Sequence, residues 1–583
     1  MHRKVAILAT AAATILALAG CSTGNKADTD KKAAKDDGKE LTVTVYDDLA
    51  NYAGIAKGWY ANYIKDKFNI KLKMVSPNVA GGGSTLFDTR TAAGNLGDLI
   101  ITGTTHTKKL VKAGLLADMT PYADGMTYIK KYKASSDELA SIAGKKGLWG
   151  LTTGVSSMSP TKPSEGQDPA AAPYIRWDLY KEIGYPKIKT MNDLVPVLKK
   201  MQDQARKDTG DKDIWAVSLF KDWDGTNMQN AAQNLSFYGW EINQGTVLSK
   251  GNGKAYQSIV ASDSQYVKGI KFLNLCKQAG ILDPDSSTQT WTQIDTKVRS
   301  GKVLFSWWNF LGISGYNTSA NTAQGKGFAL APVQDLNVTS NGASPAGGVT
   351  MIGVGSKAKN KARLVKFINW LYSPEGVQVS QAGNIACAGI KGVMWKMQDG
   401  QPVLTKLGDK ILNDDQNTKM PKKYGGTSFQ DGLNPLNFKT VLQYDKDPTT
   451  GQAYNYNMWP SVIKASETKL SKDWSKHMDG ATSTMDYLEK KNQLEIAAGV
   501  AYTAPEDPSV IATQRSTIGQ QVTNTTWKMI MAKTDTEYNS LLANMQKTVN
   551  GLGYKDVNKY DMKNAKAKNK MRKDVIKEYK ADK

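Results

Sequence analysis

The groups in this sequence that could bind or transform a ligand are mainly aromatic rings and carboxylates. Of the 583 residues, 14 are Trp and 25 are Tyr, whereas only three are His and three are Cys. Beyond the first few residues the only histidines are His106 and His477. This scarcity argues against a His-based zinc site or a Ser-His-Asp triad, but it leaves carboxylate catalysis open. The abundant rings instead suit noncovalent recognition of a ligand with apolar faces and polar edges.

Two aromatic clusters lie where predicted strands end. Trp307, Trp308 and Asn309 close one strand. Because successive side chains of a strand point to opposite faces, only one Trp of this pair can face a ligand. A second strand-like run ends just before a similar pair, Trp223 and Asp224. We therefore expect one of Trp307 and Trp308, together with Asn309, Trp223 and Asp224, to contribute to a binding site.

The first part of the chain alternates strands and helices. Strand patterns at 41–46, 70–75 and 97–102 are separated by helical patterns at 58–68 and 84–93. This order predicts an α/β unit with a largely parallel sheet, in which ligands bind beyond the carboxyl ends of the strands. The residues that follow the first strand are therefore further candidates for ligand binding: Asp47, Asp48, Asn51 and Tyr52.

The N-terminus has the features of an export signal. Arg3 and Lys4 precede an apolar run from Val5 to Leu18, which is too short to span a membrane as a permanent helix. The tetrapeptide Leu18-Ala19-Gly20-Cys21 resembles the bacterial lipoprotein signal, which implies removal of residues 1–20 and lipidation of Cys21. Two alternatives are an ordinary signal peptide cleaved near Ala19 and an N-terminal anchor.

The residues after Cys21 predict a tether. Residues 22–39 contain no large apolar side chain, so residues 21–40 cannot bury enough surface to fold. No later stretch offers about eighteen uninterrupted apolar residues, and so no second membrane span is expected. The sequence therefore predicts a globular body on the extracytoplasmic face of a bacterial cell membrane, held there by a lipid.

Charge and cysteine content narrow the function further. The formal net charge is +22, but the lysines are scattered and form no aromatic-interleaved patch, and an exported body is in the wrong compartment to bind nucleic acid. We therefore expect no nucleic-acid partner. Cys276 and Cys387 could form one disulfide, although two small buried hydrophobic residues fit better.

Several stretches, which follow one another along the chain in the family's order, resemble family 1 extracellular solute-binding proteins of ABC importers. The most specific is 347–381, which contains Phe367-Ile368-Asn369-Trp370-Leu371-Tyr372-Ser373-Pro374-Glu375-Gly376. Residues 389–400 are similar to the lipoprotein subgroup with large C-terminal regions. The other matching stretches are 97–101, 110–120, 176–184, 189–194 and 301–309.

The resemblance implies an α/β, two-lobed clamp of the periplasmic-binding-protein type (type II style) with extra C-terminal helices. Lobe 1 is expected at 41–155 and again at 346–385. Lobe 2 is expected at 156–345, and the remaining 386–583 would complete it and add a helical region. The lobes would be joined by crossings near residues 155, 345 and 385, since hinges are usually a few loop residues.

The resemblance also implies a function. A monomeric binding subunit would capture a carbohydrate, usually an oligosaccharide, between its lobes and deliver it to a membrane permease, without cofactor or catalysis. Arg176 and Trp177 begin a stretch that looks like the family's entry into lobe 2, and we add both to the candidate ligand contacts. Trp307 or Trp308 would supply an aromatic platform.

Two features depart from the family pattern. Many sugar-binding relatives carry an aromatic residue just after the strand that begins at Asp98, where this chain has Thr102-Gly103-Thr104-Thr105. Tyr52 is the best substitute for that platform. Some long members carry a calcium loop, but residues 208–213 are too few and lack the closing Glu. We expect no metal there.

Other functions stay open at this point. The ligand could be a peptide or an acidic oligosaccharide. The chain could also be an anchored glycosidase with two carboxylates, for which Asp47 with Asp48, or Asp222 with Asp224, would be the pair. A purely structural surface protein would bind no small ligand.

Overall fold

The computed structural model describes residues 38–80, 83–225, 228–383, 386–502 and 504–581. Within them, two large hydrophobic cores define two lobes. Each core contains both helices and strands, which confirms the expected two-lobed α/β class. The predicted signal peptide, Cys21 and most of the tether lie outside the described residues. None of the described helices combines the length and apolar character needed to cross a membrane.

Lobe 1 begins with alternating strands and helices, as the hydrophobic pattern predicts. Strand β1, for example, buries Val43 and Val45 on one face, and helix α1 ends at Asn69, whose left-handed backbone lets its N–H bond to the carbonyl of Lys65. The strands are β1 Leu41–Asp47, β2 Gly54–Ile55, β3 Ile70–Val75, β4 Leu99–Gly103 and β5 Leu151–Thr152; the helices are α1 Gly58–Phe68, α2 Pro77–Ala80, α3 Gly83–Ala92, α4 Thr107–Lys112, α5 Thr127–Lys131 and α6 Lys133–Ala143.

The first part of lobe 2 follows. Several of its helices start at a side-chain cap, such as Thr290, whose hydroxyl accepts the N–H of Gln293. The strands are β6 Ala171–Arg176, β7 Trp240–Asn243, β8 Val247–Lys250, β9 Tyr256–Ser258, β10 Phe305–Trp308, β11 Phe328–Leu330 and β12 Val338–Asn341; the helices are α7 Trp177–Glu182, α8 Leu194–Thr209, α9 Gln229–Ser236, α10 Gln265–Gln278, α11 Trp291–Arg299, α12 Asn309–Tyr316 and α13 Ser319–Ala323.

The chain then returns to lobe 1 and later passes back to lobe 2. The return contains strands β13 Thr350–Val354, β14 Trp395–Gln398 and β15 Gln401–Leu404 and helices α14 Lys361–Leu371, α15 Pro374–Ser380, α16 Lys406–Asp409 and α17 Pro460–Ala465. The last part contains strand β16 Leu494–Ala497 and helices α18 Lys469–His477, α19 Thr484–Lys490, α20 Ser509–Met531, α21 Asp535–Gly551 and α22 Tyr554–Ala581.

The lobe-1 sheet has the strand order β2-β3-β1-β4-β13-β5. β1 pairs in parallel with β3 and β4, whereas β13 is antiparallel to both β4 and β5. In register, Ile352 of β13 lies opposite Ile101 on one side and Leu151 on the other. The carboxyl ends of β1, β4 and β5 therefore share one edge with the amino end of β13.

In lobe 2 the central sheet has the order β10-β6-β11, with β6 antiparallel to both neighbours. The run 214–220, which the sequence predicts as a strand, is joined to the sheet only by isolated bridges, Trp215 to Val303 and Val217 to Leu282. Both bridges are parallel, so this run ends at the same edge as β10. Its short pairing explains why it is not a regular strand.

The division of the chain after residue 386 differs from the one expected. Cys387, Phe429, Phe438 and Tyr454 are buried in the lobe-1 core, and Trp459 packs beside them in a satellite cluster. Leu470 of α18 is buried in the lobe-2 core. The third crossing therefore lies between α17 and α18 rather than near 385, because the aromatic residues of 386–459 complete lobe 1.

Helices α20, α21 and α22 cover lobe 2. Val522, Met545 and Val557 are among their buried residues in its core. The basic helix α22 is also held by charge pairs, including Arg515 of α20 with Asp561 and Arg572 with Glu241 of β7. The lysine-rich C-terminus is thus a docked amphipathic helix, as its pattern indicates. Cys276 and Cys387 are buried and free in different cores.

Candidate functional site

The topology identifies which edge of each sheet faces the space between the lobes. The first crossing leaves the carboxyl end of β5 and enters the amino end of β6, and the second leaves the carboxyl end of β11 and enters the amino end of β13. The strand ends joined by these crossings form what we call the inter-lobe edges. Ligands of open α/β sheets bind beyond such ends, and polar and aromatic residues located there are the first to consider.

Four aromatic rings form a continuous surface at the inter-lobe edge of lobe 2. This aromatic wall consists of Trp223, Trp291, Trp308 and Phe310. The rings of Trp223 and Trp291 stack with centroids 4.5 Å apart, and those of Trp308 and Phe310 stack at 5.7 Å. Trp223 and Phe310 are each 41% exposed. Exposed rings that pack together form an apolar patch, which makes this surface a candidate for binding because leaving such a patch in water is unfavourable.

The aromatic wall is held in place by contacts of the residues just before Trp223. Asp222 accepts the backbone N–H of Trp291 at 2.8 Å and thereby ties the loop after residue 220 to the start of α11. Phe220 lies behind the wall, with its centroid 5.2 Å from Trp291 and 5.7 Å from Trp308. The rings therefore form a preorganised platform, which lowers the entropic cost of binding.

The adjacent tryptophans of β10 have opposite surroundings. Trp308 belongs to the wall, although it is only 4% exposed, because Trp223 and Phe310 pack on it. Trp307 points into the core, where it packs against Phe272 and Phe305. Of the two, Trp308 is therefore on the side of the strand that carries the aromatic wall.

Asn309 connects the wall to the first crossing. It begins α12, and its backbone N–H donates to the carbonyl of Ala170 at 3.1 Å. Its side-chain amide donates to the carbonyl of Asp168 at 3.3 Å. The amide group is thus placed beside both the wall and the crossing, with its oxygen available as an acceptor.

Asp224 turns away from the wall. It is buried, and one carboxylate oxygen accepts the indole N–H of Trp527 in α20 at 2.7 Å. The other oxygen is buried without a hydrogen-bond partner, and this burial raises the pKa of Asp224 above its ordinary value. Its position indicates that Asp224 connects the loop to the C-terminal helices, and the structure does not bring it to the aromatic surface.

Arg176 and Trp177 lie at the opposite edge of lobe 2. Because β6 is antiparallel to β10, its carboxyl end points away from the inter-lobe edge. Arg176 is buried, donates two hydrogen bonds to Asp178 at 2.6 and 2.9 Å, and stacks over Tyr316. The indole of Trp177 donates to Asp473. The structure therefore does not bring these two residues to the candidate site.

On lobe 1 the two aspartates after β1 differ. Asp47 is fully buried; one oxygen accepts the N–H of Leu49, and desolvation raises the pKa of its carboxyl well above the usual range. Asp48 is half-buried at the inter-lobe edge and accepts a hydrogen bond from the hydroxyl of Thr102 at 2.5 Å. Of the two carboxylates, only that of Asp48 is accessible at the inter-lobe edge.

Asn51 and Tyr52 are exposed at the same edge. Tyr52 is 39% exposed, and its hydroxyl donates to the carbonyl of Ile55 at 2.6 Å, which holds the ring in place. Both residues line a cavity of about 670 Å³ on lobe 1. The structure thus brings Asp48, Asn51 and Tyr52 to the lobe-1 edge and Trp223, Trp308 and Asn309 to the lobe-2 edge.

Sequence reasoning missed two members of the wall, Trp291 and Phe310. Phe310 directly follows Asn309 and could have been found by extending the aromatic run by one residue. Trp291 is the first residue of α11, and the capping pair Thr290 and Gln293 marks that helix start in the sequence. What the sequence does not contain is the loop geometry that places Trp291 on Trp223.

The described residues show no group of three or more side chains suited to hold a metal ion. Within residues 208–213, Asp211 pairs with Lys302 at 3.1 Å. Hydrogen bonds from the backbone N–H of Asp213 and from Lys302 lower the pKa of the Asp211 carboxyl. That carboxylate is thus already engaged by a lysine.

A protein-family model described as bacterial extracellular solute-binding protein matches residues 47–378. No curated protein sequence matches the chain significantly.

Solved structures agree in fold. An HMO-binding, ABC-transporter-associated solute-binding protein from Bifidobacterium longum infantis is 16% identical, with a TM-score of 0.54 over 91% of this chain and 99% of its own. The substrate-binding protein FusA of an S. pneumoniae ABC transporter, solved in complex with kestose, is 13% identical, with a TM-score of 0.54 over 93% of this chain and 100% of its own.

Proposed function

Since the chain belongs to the bacterial extracellular solute-binding proteins, we propose that it is the carbohydrate-binding subunit of an ABC importer, with an oligosaccharide as its ligand. The aromatic wall is the observation that carries this proposal. Sugar rings have apolar C–H faces that stack on exposed indoles, and their hydroxyls need polar partners at the edges. Trp223 and Phe310 provide the rings, while Asn309, Asp48 and Asn51 provide polar groups.

The two relatives described above support the same ligand class, since one is named as HMO-binding and the other was solved with kestose. Because their sequence identity to this chain is low, the structural match by itself establishes only the fold. The assignment of a carbohydrate ligand therefore rests on the chemistry of this chain's own inter-lobe edges. Asn309 and the wall lie on lobe 2, and Asp48, Asn51 and Tyr52 lie on lobe 1. Ligand binding to both edges would stabilise the closed arrangement, because a ligand favours the state that it binds better.

Delivery to the membrane completes the proposal. Cys21 carries a lipid that holds a monomeric body on the extracytoplasmic face, and the permease recognises the closed form. Labelling cells with a palmitate analogue should mark the wild-type protein and leave Cys21→Ala unmarked. If the wild-type protein carries no more label than Cys21→Ala, this cysteine is not lipidated. The N-terminus would then be an ordinary signal peptide or an N-terminal anchor.

The carbohydrate assignment is tested by a thermal-shift screen of the purified protein against neutral oligosaccharides, acidic oligosaccharides and peptides. A ligand that binds only the native state raises the melting temperature by mass action. A shift of the melting temperature with one glycan class, which is smaller in Trp223→Ala, is the expected result. A response to peptides alone would reject a carbohydrate ligand, and release of shorter sugars during incubation would reveal a glycosidase.

A further inference from the structure

The lobe-1 cavity has a second side that comes from outside the matched family region. Several residues between 427 and 437, which we call the 427–437 segment, line the cavity together with Asn51 and Tyr52. We propose that this segment forms a fixed polar wall of the carbohydrate site and selects neutral, hydroxyl-rich sugar units over acidic ones. The inference rests on the function proposed above and assigns the ligand to a chemical class.

The segment is locked to the start of α1. The indole of Trp59 stacks on Phe429 with centroids 5.3 Å apart and planes 8° apart, and its N–H donates to the carbonyl of Phe429 at 2.9 Å. Gly58 and Gly432 meet backbone to backbone; a Cβ added to Gly58 would lie 2.4 Å from the Cα of Gly432. Because neither position has room for a side chain, the close backbone contact fixes the position of the segment on lobe 1.

The segment also follows the inter-lobe edge. The side-chain amide of Asn437 donates to the carbonyl of Leu49, just after the carboxyl end of β1, at 2.9 Å. Two residues further on, the carbonyl of Lys439 accepts the N–H of Gly154 at 2.7 Å, where the first crossing begins. The cavity is therefore part of the lobe-1 edge that the crossings join to the aromatic wall.

The polar groups of the cavity match sugar hydroxyls. Gln430, Asp431 and Asn437 on the segment are exposed, and so is Asn51, which lines the same cavity. A carboxylate accepts two hydrogen bonds from neighbouring hydroxyls, and an amide both donates and accepts, so together they satisfy hydroxyls in either role. Tyr52 adds a ring for a C–H face.

The charge of the lining favours neutral ligands. Among the described residues that line the cavity, Lys57 and Asp431 are the only charged ones, so the formal charges of this lining cancel. A carboxylate on the ligand would lose its hydration, gain one cation and meet one anion, and this exchange is unfavourable. A neutral unit has no such cost.

Calorimetric titration with kestose, maltotriose, mannotriose and a uronic-acid trimer tests the inference. Wild type should bind a neutral trimer at least about tenfold more tightly than the acidic one. Asp431→Ala should weaken that binding by about 10- to 100-fold, because it removes hydrogen bonds to a charged acceptor. Asp431→Lys should narrow the preference for neutral over acidic trimers, an effect that a merely structural role would not produce. Asp414→Ala, at an exposed carboxylate outside the cavity, is the matched control.

Different failures separate the two proposals. If a neutral trimer binds and Trp223→Ala weakens it, but Asp431→Ala behaves like Asp414→Ala, the 427–437 segment is not part of the site and the carbohydrate function stands. Tighter binding of the uronic-acid trimer by wild type overturns the selection of neutral sugars. Absence of binding by every trimer overturns the proposed function together with this inference.

Discussion

The two inter-lobe edges are built on different principles. The lobe-2 edge is aromatic, with four packed rings that come from the loop after residue 220, the start of α11 and the junction of β10 with α12, all within the matched family region. The lobe-1 edge is polar, and its cavity joins residues 51–58 to a segment nearly four hundred positions later in the chain. A flat aromatic surface accepts many sugars, whereas placed amides and a carboxylate discriminate among them. The difference suggests that lobe 2 supplies affinity and lobe 1 supplies selectivity.

The largest expected effect separates the two tryptophans of β10. Trp307→Ala and Trp308→Ala should each lower the free energy of unfolding by about 3–5 kcal/mol, because both rings are buried. Only Trp308→Ala should also lower the affinity of the folded molecules for carbohydrate, because only Trp308 supports the wall. Urea unfolding and calorimetry on the same samples measure both quantities. Loss of affinity in Trp307→Ala alone would contradict the assignment of faces.

A smaller effect tests lobe 2 as the source of affinity. Trp223→Ala should weaken binding by about 2 kcal/mol, roughly 30-fold, because an exposed aromatic anchor is lost. Stability should change little, since the ring is 41% exposed. Trp215, a partly exposed tryptophan at the opposite end of its strand-like run, provides the control, and Trp215→Ala should bind as wild type does. Equal losses in both variants would remove the wall from the site.

A third prediction concerns pH. Burial raises the pKa of Asp224 above 3.8, so the folded chain holds this proton more tightly than the unfolded chain. The stabilising effect of protonation is complete below the unfolded-state pKa and is lost as pH rises through the folded pKa. Asp224→Asn should therefore be more stable than wild type at pH 7 and lose that advantage below about pH 4. Thermal unfolding from pH 3 to 8 measures this, and Asp414→Asn, at an exposed carboxylate, is the comparison. A parallel pH dependence in wild type and Asp224→Asn would disprove it.

The smallest effect sharpens the role of lobe 1. Tyr52→Phe removes the hydrogen bond to the carbonyl of Ile55 and keeps the ring, so affinity should fall by less than about 1 kcal/mol. Tyr52→Ala should lower the affinity further if the ring stacks on the sugar. Calorimetry with one neutral trimer decides between them. A larger loss in Tyr52→Phe than in Tyr52→Ala would mean that the hydroxyl, and not the ring, contacts the sugar.

Much of the fold follows from the sequence. The alternation of strands and helices up to residue 103 predicts the lobe-1 sheet, and the resemblance predicts two lobes. The third crossing was misplaced because nothing local to residues 386–459 shows that Phe429 stacks on Trp59, 370 positions away. Long-range aromatic contacts of this kind leave no periodic trace.

The site was predicted in part, and the misses have geometric causes. Position after a strand correctly suggested Trp223 and Asn51 as exposed residues at an edge. It could not separate Trp307 from Trp308, because a register shift between Ser306 and Trp308 affects which face each ring takes. The family resemblance added Arg176 to the candidates, but β6 runs antiparallel to its neighbours, so Arg176 at its carboxyl end lies away from the inter-lobe edge.

The contact between Trp59 and Phe429 has a consequence for how lobe 1 assembles during synthesis. Helix α1 emerges from the ribosome early, yet its largest ring stays without its stacking partner until more than three hundred further residues have been made. A chain that stopped at residue 378 would contain the whole matched family region but leave Trp59 in contact with water. Lobe 1 is therefore finished late, and the segment proposed to select the sugar is also the one that closes its core.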